Sequence, residues 1–144
     1  MHKLWILLAT AVTVFGFVGV APAAAKSSNP VNVSGKVNVK GKKDISGKKK
    51  ATIEIEQDNY YFEPTFVKVS PGEKVTVELK NEGNTTHTFT SDRLNVDQSL
   101  SAGKSKKITI TVPSNAKAFA FHCSIHQSFG MQGALYTKAG ATAT

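Results

Sequence analysis

Three side chains that bind soft transition metals lie within nine residues of one another near the C-terminal end of the sequence. Cys123, His126 and Met131 offer a thiolate, an imidazole and a thioether, and their loop separates two predicted strands. A further imidazole, His87, lies upstream, beyond another predicted strand and a turn. This donor set suits copper, which alternates between a nitrogen-preferring and a sulfur-preferring oxidation state. Zinc fits less well because structural zinc sites use four strong ligands, and methionine is a weak one.

Each of these residues also has an ordinary structural explanation. A lone buried cysteine commonly packs as a small hydrophobe, and a methionine commonly fills a gap in the core. A histidine in a loop often has no special role. The combination of three ligand types after one strand, with a fourth group upstream, is far less common than any of them alone. We therefore interpret the group as a metal site.

Short strands are predicted to position these ligands. Strict alternation of apolar and polar residues is typical of half-buried strands, and turn signals rich in Gly, Pro and Asn separate the alternating segments. The predicted strands are 52–56, 66–70, 74–80, 107–112, 118–123 and 132–137. No window predicts an amphipathic helix. The pattern favours an all-β antiparallel sandwich or barrel.

The formal net charge of +8 is unevenly distributed. Residues 26–50 carry eight lysines against Asp44, whereas residues 51–144 carry nine basic and nine acidic side chains. The excess lies outside the predicted domain, which disfavours a nucleic-acid-binding face. The Lys- and Gly-rich composition predicts a flexible basic tail over 26–50, expected either to contact anionic envelope surfaces or acidic partners or to act as a solvated spacer. The domain is predicted at 51–138, followed by a short flexible C-terminus at 139–144.

Residues 1–25 are predicted to form a secretory signal peptide. A short polar start precedes an uncharged run over 4–20, and small residues follow at 21–25, which predicts cleavage after Ala25. The alternative is an uncleaved anchor, because 22 uncharged residues could just span a bilayer. Either way we expect export to the periplasm, the cell envelope or the exterior. The single cysteine excludes an internal disulfide framework and a Cys-pair zinc site.

The ligand loop resembles that of the cupredoxins, the small type 1 blue copper proteins. Its spacing, Cys-x-x-His-x-x-x-x-Met, is similar to that of the plastocyanin-like members. The Tyr-Phe-Glu-Pro segment at 61–64, the Val-x-Val-x-Pro-Gly segment at 67–72 and Asn81 are similar too. The resemblance covers about residues 51–138 and implies a Greek-key antiparallel β-sandwich that holds one copper ion.

The resemblance also implies a role for each ligand. His87, Cys123 and His126 would be the equatorial ligands, and Met131 the long axial one. The residue after the first histidine is often Asn in this family, where it ties the two ligand loops together; here it is Thr88. Outer hydrogen bonds to the sulfur, from the Ser124 region or a backbone N–H near Thr88, would tune the reduction potential.

Two further positions bear on whether the chain could hold a second metal ion. The residue before the cysteine is His122, as in copper nitrite reductases and multicopper oxidases, where such a His-Cys pair connects two coppers. Strand alternation predicts that His122 faces away from Cys123, and beyond residue 25 the sequence has no histidine left to complete a second site. A trimeric copper enzyme therefore stays a minor alternative. A binuclear centre like that of cytochrome oxidase subunit II needs a second cysteine where this chain has Gln127.

The sequence therefore predicts a monomeric, exported electron carrier rather than an enzyme. Redox partners are expected to dock near His126, where Ile125 and Phe129 would supply an apolar contact. The alternative is an envelope copper-binding or delivery protein. That class usually carries clusters of Met or His, and Met131 is the only methionine after the first residue.

Overall fold

The computed structural model describes residues 29–144, so the predicted signal peptide lies outside the described residues. Within this range the chain forms ten strands and one short 3-10 helix. The strands are β1 (Lys42–Asp44), β2 (Lys50–Asp58), β3 (Tyr61–Glu63), β4 (Phe66–Lys68), β5 (Lys74–Asn81), β6 (His87–Ser91), β7 (Val96–Leu100), β8 (Ser105–Thr111), β9 (Ala118–His122) and β10 (Gln132–Tyr136); the helix is Gln127–Phe129. Among residues 29–144 we find no helix that could span a lipid bilayer.

The strands form two sheets that enclose the main core. One sheet has the order β1-β4-β10-β9-β6-β7, and the other has the order β3-β2-β5-β8. Along β2 the buried residues Ala51, Ile53 and Ile55 alternate with exposed polar ones, so one face of the strand packs inward. This arrangement confirms the predicted all-β sandwich. The sheets are mixed, however, because β2 pairs with β5, and β4 with both β1 and β10, in parallel.

All six predicted strands are present, and four others were not predicted. Strands β1 and β3 have only three residues each, too few for an alternating pattern to be recognised. In β6 four of the five residues are buried, including polar ones, so the strand shows no apolar alternation. In β7 only Leu100 is buried, at the end of the strand. These four segments are strands because they pair with neighbouring strands, and their own sequences show no strand pattern.

The prediction of a flexible tail over 26–50 is wrong for the residues that the structure describes. Residues 29–45, which we call the strap, first cover the outer face of the six-stranded sheet and then join the edge of that sheet as β1. On the outer face Val31 is fully buried in a second apolar cluster with Phe66, Ala134 and Tyr136. Strands β4, β9 and β10 are apolar on both faces and therefore need cover on both sides. The folded domain thus begins before Ala51.

The strap runs to one end of the sandwich and back. It starts beside the C-terminus, where Asn32 pairs with Thr142, and Asn38 at its tip donates its backbone N–H to the Gly130 carbonyl. It then returns as β1, parallel to β4, and ends with Ile45 buried in the main core. We call the end reached by Asn38 the loop end and the opposite one the far end.

An ion pair joins β1 to β4. The Lys68 ammonium lies 2.9 Å from the Asp44 carboxylate and is the main reason that the pKa of Asp44 is lowered to about 2, with further hydrogen bonds from Ser46. Both side chains are exposed, so the pair contributes little to the stability of the fold.

The C-terminus is also ordered, which corrects the prediction of a flexible segment at 139–144. Ala143 is buried in the second apolar cluster, and its N–H donates to the Asn32 carbonyl. The Thr144 carbonyl accepts a hydrogen bond from Ala120 at the sheet. The strap and the C-terminal residues therefore cover the same sheet face together.

Candidate metal centre

Three donor atoms converge at the loop end of the sandwich. Nδ1 of His87 lies 3.1 Å from Nδ1 of His126, and the Cys123 Sγ lies 3.8 Å and 3.4 Å from these two nitrogens. His87 and Cys123 are fully buried, and His126 is 8% exposed. When all His, Cys, Asp and Glu side chains of the described residues are considered, these three form the group that could hold a metal ion.

The fold brings the donors together from two strands. His87 is the first residue of β6, and Cys123 directly follows β9, which pairs with β6 through Thr90 and His122. A tight turn then returns the chain, because the His126 N–H donates to the Cys123 carbonyl and the 3-10 helix follows. His126 is therefore positioned by the short turn that follows Cys123, whereas His87 is positioned by the pairing of β6 with β9.

Met131 lies beside the donors and is fully buried. Its carbonyl accepts a hydrogen bond from the Cys123 N–H, and its own N–H donates to the His126 carbonyl. The turn that leads to it requires Gly130, whose φ of 96° lies in the left-handed region. All four residues predicted from the sequence thus lie at the same end of the core.

Thr88 ties the two ligand-bearing segments together. Its backbone N–H donates to the Cys123 Sγ over 3.3 Å, and its side-chain oxygen accepts the Ser124 N–H over 2.8 Å. The hydroxyl oxygens of Thr88 and Ser124 also lie 3.1 Å apart. A threonine therefore makes the cross-loop contact that the resemblance associates with an asparagine. Ser124 acts on Thr88 rather than on the sulfur.

This tie leads to a prediction about Thr88→Val. Valine keeps the shape but removes the acceptor, leaving the Ser124 N–H without its partner. We expect a loss of about 0.5–1.5 kcal/mol of unfolding free energy in the metal-free protein, the usual net contribution of one hydrogen bond, because this contact is only partly buried. Urea denaturation would measure it. The control is Thr88→Ser, which keeps the hydroxyl; equal losses in both variants would contradict a role for the hydrogen bond.

His87 is held from its outer side as well. Its Nε2 lies 3.0 Å from the Asn59 Oδ1 in the turn between β2 and β3. Burial, and to a lesser degree the nearby His126, lowers the pKa of His87. The neutral imidazole, which is the form that binds metals, is therefore favoured at neutral pH.

Asn81 fixes the loop that leads into His87. Its side-chain NH₂ donates to the carbonyls of Thr85 and Leu100, and its Oδ1 accepts the Gly83 N–H. The amide thus uses both of its polar atoms within the loop end. This buried residue holds the β5–β6 connection in place without touching the donor atoms.

Aromatic rings separate His126 from solvent. The Tyr60 ring lies 4.7 Å from the His126 ring and stacks on Phe129 at 5.1 Å. Ile125 and Phe129 are 53% and 54% exposed, and Tyr60 is 36% exposed. We call these three residues the apolar rim. Asn38 of the strap supports it, since its side-chain NH₂ donates to the carbonyls of Tyr60 and Phe129.

His122 does not join the donor group. It is partly exposed and alternates with Phe121 and Cys123, which are fully buried. The strand therefore directs it to the opposite face of the sheet, as the sequence predicted. Gln127 lies on the 3-10 helix, where its side-chain NH₂ donates to the Gln132 Oε1.

Four residues shape the site through contacts that the sequence did not predict. Asn38, Asn59 and Tyr60 reach it from segments that carry no ligand, and the Thr88 side-chain contact depends on a partner 36 residues away. No spacing rule connects such positions. Only the strap, which carries Asn38, could have been inferred from the sequence, because strands that are apolar on both faces imply a covering segment.

The donor chemistry fits a soft transition metal. Two imidazole nitrogens and one cysteine sulfur form a buried group, and Met131 is hydrogen-bonded to Cys123 and His126 through its backbone. Hard ions such as Mg²⁺ or Ca²⁺ prefer oxygen ligands, and no carboxylate belongs to the group among residues 29–144. A site of His₂Cys type with a weak sulfur ligand is characteristic of electron-transfer copper.

Comparison with known proteins supports the β-sandwich fold described above. A family model described as "Cupredoxin-like domain" matches residues 9–136. No curated protein matches the chain.

Three solved structures illustrate the similarity. Auracyanin B aligns at 18% identity and a TM-score of 0.52 over 61% of this chain and 88% of its own. Auracyanin A, a blue copper protein from Chloroflexus aurantiacus, aligns at 20% identity and a TM-score of 0.51 over 62% of this chain and 99% of its own. A copper-containing nitrite reductase from Thermus scotoductus aligns at 17% identity and 0.48 over 62% of this chain and 28% of its own. At these identities the two auracyanin alignments establish the fold.

Proposed function

Since the chain belongs to the family of cupredoxin-like domains, we propose that it is an exported electron carrier that holds one copper ion and passes single electrons between protein partners. The observation that carries the proposal is the convergence of two Nδ1 atoms and one Sγ within 4.8 Å of one another in a buried group. Related proteins of known structure include auracyanin A, described as a blue copper protein.

Each donor has a distinct role in this proposal. His87, Cys123 and His126 would hold the metal, and Met131 would supply a weaker sulfur ligand. Bound copper supplies the one-electron change between its two oxidation states. The burial of His87 and Cys123 excludes water, and the Thr88 tie limits the movement of the two ligand segments. Because the ligand segments move little, few atoms would have to rearrange when an electron is transferred.

The hydrogen bond to the sulfur tunes the site. The Thr88 N–H withdraws electron density from the Cys123 thiolate. Since an oxidised copper would depend more on thiolate donation, this contact would favour the reduced state and raise the reduction potential. The donor belongs to the backbone, so side-chain substitution at this position leaves it in place.

Electrons enter and leave through His126 and the apolar rim. His126 is the most exposed of the three donors, and the rim surrounds it with apolar side chains. A small apolar contact gives the weak, short-lived encounters that redox partners need. The strap carries lysines at 36 and 40, on either side of the tip that meets the rim, so acidic redox proteins are the partners that we propose. The carrier acts as a monomer.

The location follows from the sequence. The predicted signal peptide over 1–25 would direct the protein to the periplasm or the cell exterior, with cleavage after Ala25. N-terminal sequencing of the protein isolated from the envelope fraction tests the cleavage site.

The visible spectrum of the oxidised protein with added copper tests the function. An intense thiolate-to-copper band at one copper per chain supports the carrier, and reversible one-electron reduction at an electrode supports it further. Colourless protein that retains zinc in preference to copper would overturn it. Rapid release of copper to a chelator in both oxidation states would favour envelope copper delivery instead. Two coppers per chain would favour the enzyme alternative.

A charged side chain in the apolar rim should slow electron transfer. In Ile125→Lys two like charges meet whenever two copies approach through the rim. We expect electron self-exchange between oxidised and reduced copies to fall by roughly tenfold or more, within the range over which association rates vary among variants of one interface. NMR line broadening in mixtures of the two states measures the rate.

The matched control is Thr111→Lys, which adds the same charge to an exposed residue at the far end. The visible spectrum should be unchanged in both variants. Equal slowing in both would mean that net charge, rather than the rim, determines the rate. An unchanged rate in Ile125→Lys would place electron exit elsewhere on the surface.

A further inference from the structure

Two asparagines outside the donor group form a chain of hydrogen bonds that ends on His87. Asn59, in the turn between β2 and β3, places its Oδ1 3.0 Å from the His87 Nε2. Its side-chain NH₂ donates to the Asn84 Oδ1 in the β5–β6 loop over 2.5 Å. The Asn59 backbone N–H is held by the Asp58 carboxylate over 2.7 Å.

The space around this contact is closely fitted. A Cβ atom added at Gly83 would lie 2.7 Å from both the Asn59 Oδ1 and the His87 Nε2, closer than real Cβ contacts occur. The Gly83 N–H is itself held by the Asn81 Oδ1. The absence of a side chain at this position is therefore what allows the amide to reach the ring.

The chemistry of the amide determines where the proton of His87 lies. An asparagine side chain donates only through nitrogen and accepts only through oxygen. Because the Asn59 nitrogen is used by Asn84, its oxygen faces His87, and the ring nitrogen opposite must donate. The neutral ring then carries its hydrogen on Nε2 and keeps a lone pair on Nδ1. Nδ1 is the atom that faces the Cys123 Sγ and the His126 Nδ1.

The reverse arrangement has the opposite effect. If both amides were turned over, the Asn59 nitrogen would donate to Nε2, and the ring hydrogen would move to Nδ1. That hydrogen would point among the donor atoms, where a metal ion needs a lone pair. The orientation of two amides outside the group is thus linked to whether His87 can bind.

We propose that the Asn59–Asn84 pair is a positioning device that fixes the tautomer of His87 before any metal arrives, so that Nδ1 is presented as a free ligand. The metal-binding consequence rests on the proposed function, whereas the tautomer belongs to the metal-free protein. Outer partners of this kind orient metal-binding histidines and raise their basicity. Neither asparagine touches the donor atoms, so neither is a ligand.

NMR of the metal-free protein tests the tautomer directly. In a long-range ¹H–¹⁵N spectrum of ¹⁵N-labelled protein at neutral pH, His87 should be protonated at Nε2, with a slowly exchanging hydrogen. Asn59→Ala should lose the slow exchange and populate both tautomers. Asn59→Asp, which can only accept, should keep the Nε2–H form. Gly83→Ala should resemble Asn59→Ala because the added methyl separates the pair from the ring.

Metal binding gives the second readout. Competition with a Cu⁺ chelator should show Asn59→Ala weakened by about 10- to 100-fold, the usual effect of removing such an outer partner. Asn59→Asp should keep the affinity and lower the reduction potential, because its negative charge favours the oxidised metal. The matched control is Asn115→Ala, an exposed turn residue between β8 and β9 at the far end, expected to match the wild type throughout.

Several outcomes would overturn the proposal. One is a hydrogen on Nδ1 of His87 in the metal-free wild type. Another is an Asn59→Ala variant with wild-type exchange and affinity. Should Asn59→Ala unfold, the comparison of Asn59→Asp with the wild type decides through the tautomer and the potential. If the protein binds no copper, the proposed function fails while the tautomer result still stands or falls by itself.

Discussion

Cys123→Ser is expected to abolish the intense visible band of the copper-loaded protein. The band requires transfer of an electron from a thiolate to the oxidised metal, and Cys123 is the only cysteine in the chain. A serine hydroxyl is a poor ligand and stays protonated, so two histidines would bind copper as a weakly coloured complex. The loss should be complete, because nothing else in the chain can replace the donor. Absorption spectra at equal copper content measure it.

The matched variant is Met131→Leu, which changes the other sulfur residue of the site and preserves its volume. Since the thioether is the weak ligand in the proposed site, the band should persist while the reduction potential shifts. Retention of the colour in Cys123→Ser, or loss of copper from Met131→Leu alone, would show that the roles of the two sulfurs are wrongly assigned.

A chain that starts at Ala51 should be much less stable than one that starts at Lys26. Truncation removes Val31 and Ile45 from the two apolar clusters and uncovers Phe66 and Tyr136 on the outer face of the sheet. Burying one such side chain is worth about 1.5–3 kcal/mol. Losing several contacts at once removes a large part of the 5–15 kcal/mol that typical domains possess. Denaturation midpoints of the metal-free proteins measure the loss.

Two controls separate packing from charge. Ile45→Ala keeps the whole strap and should cost about 2–5 kcal/mol, as a large-to-small core substitution does. A double variant with Lys48→Gln and Lys49→Gln lowers the positive charge without touching the clusters and should unfold near the wild-type midpoint. An Ala51 chain as stable as the longer one would mean that the strap adds nothing to the fold.

The contrast between the ligand loop and the strap shows where sequence reasoning works. Cys123, His126 and Met131 are recognisable because their spacing lies within one loop, and a loop of fixed length brings them together. The strands at 52–56 and 74–80 are recognisable because each has one buried face. In both cases the signal is local, so it can be read before the fold is known.

The strap contradicts the prediction of a flexible tail because average composition does not show where the few apolar residues lie. Eight lysines among residues 26–50 suggest repulsion and disorder, yet Val31 and Ile45 occur where the sheet needs cover. The lysines stay on the outside while a few apolar residues anchor the segment. The informative signal lay in β10, whose five residues are all buried and which therefore cannot face solvent on either side.

The contacts that refine the metal site could not be predicted. Thr88 meets Ser124, and Asn59 meets His87, across 36 and 28 residues of chain. Each contact depends on the packing of two loops whose lengths and conformations are set by different strands. Sequence spacing identifies the donor residues, whereas the hydrogen bonds around them become visible only in the folded structure.

The pairing of Asn32 with Thr142 has a practical consequence for electrochemistry. Because the Thr144 carbonyl accepts the Ala120 N–H in the middle of β9, a tether attached after Thr144 would hold the molecule by this sheet face and leave the apolar rim at the loop end uncovered. A film made in this way should exchange electrons readily with soluble proteins and poorly with the electrode beneath it. A tether on the rim, through Ile125→Cys, should reverse the two behaviours.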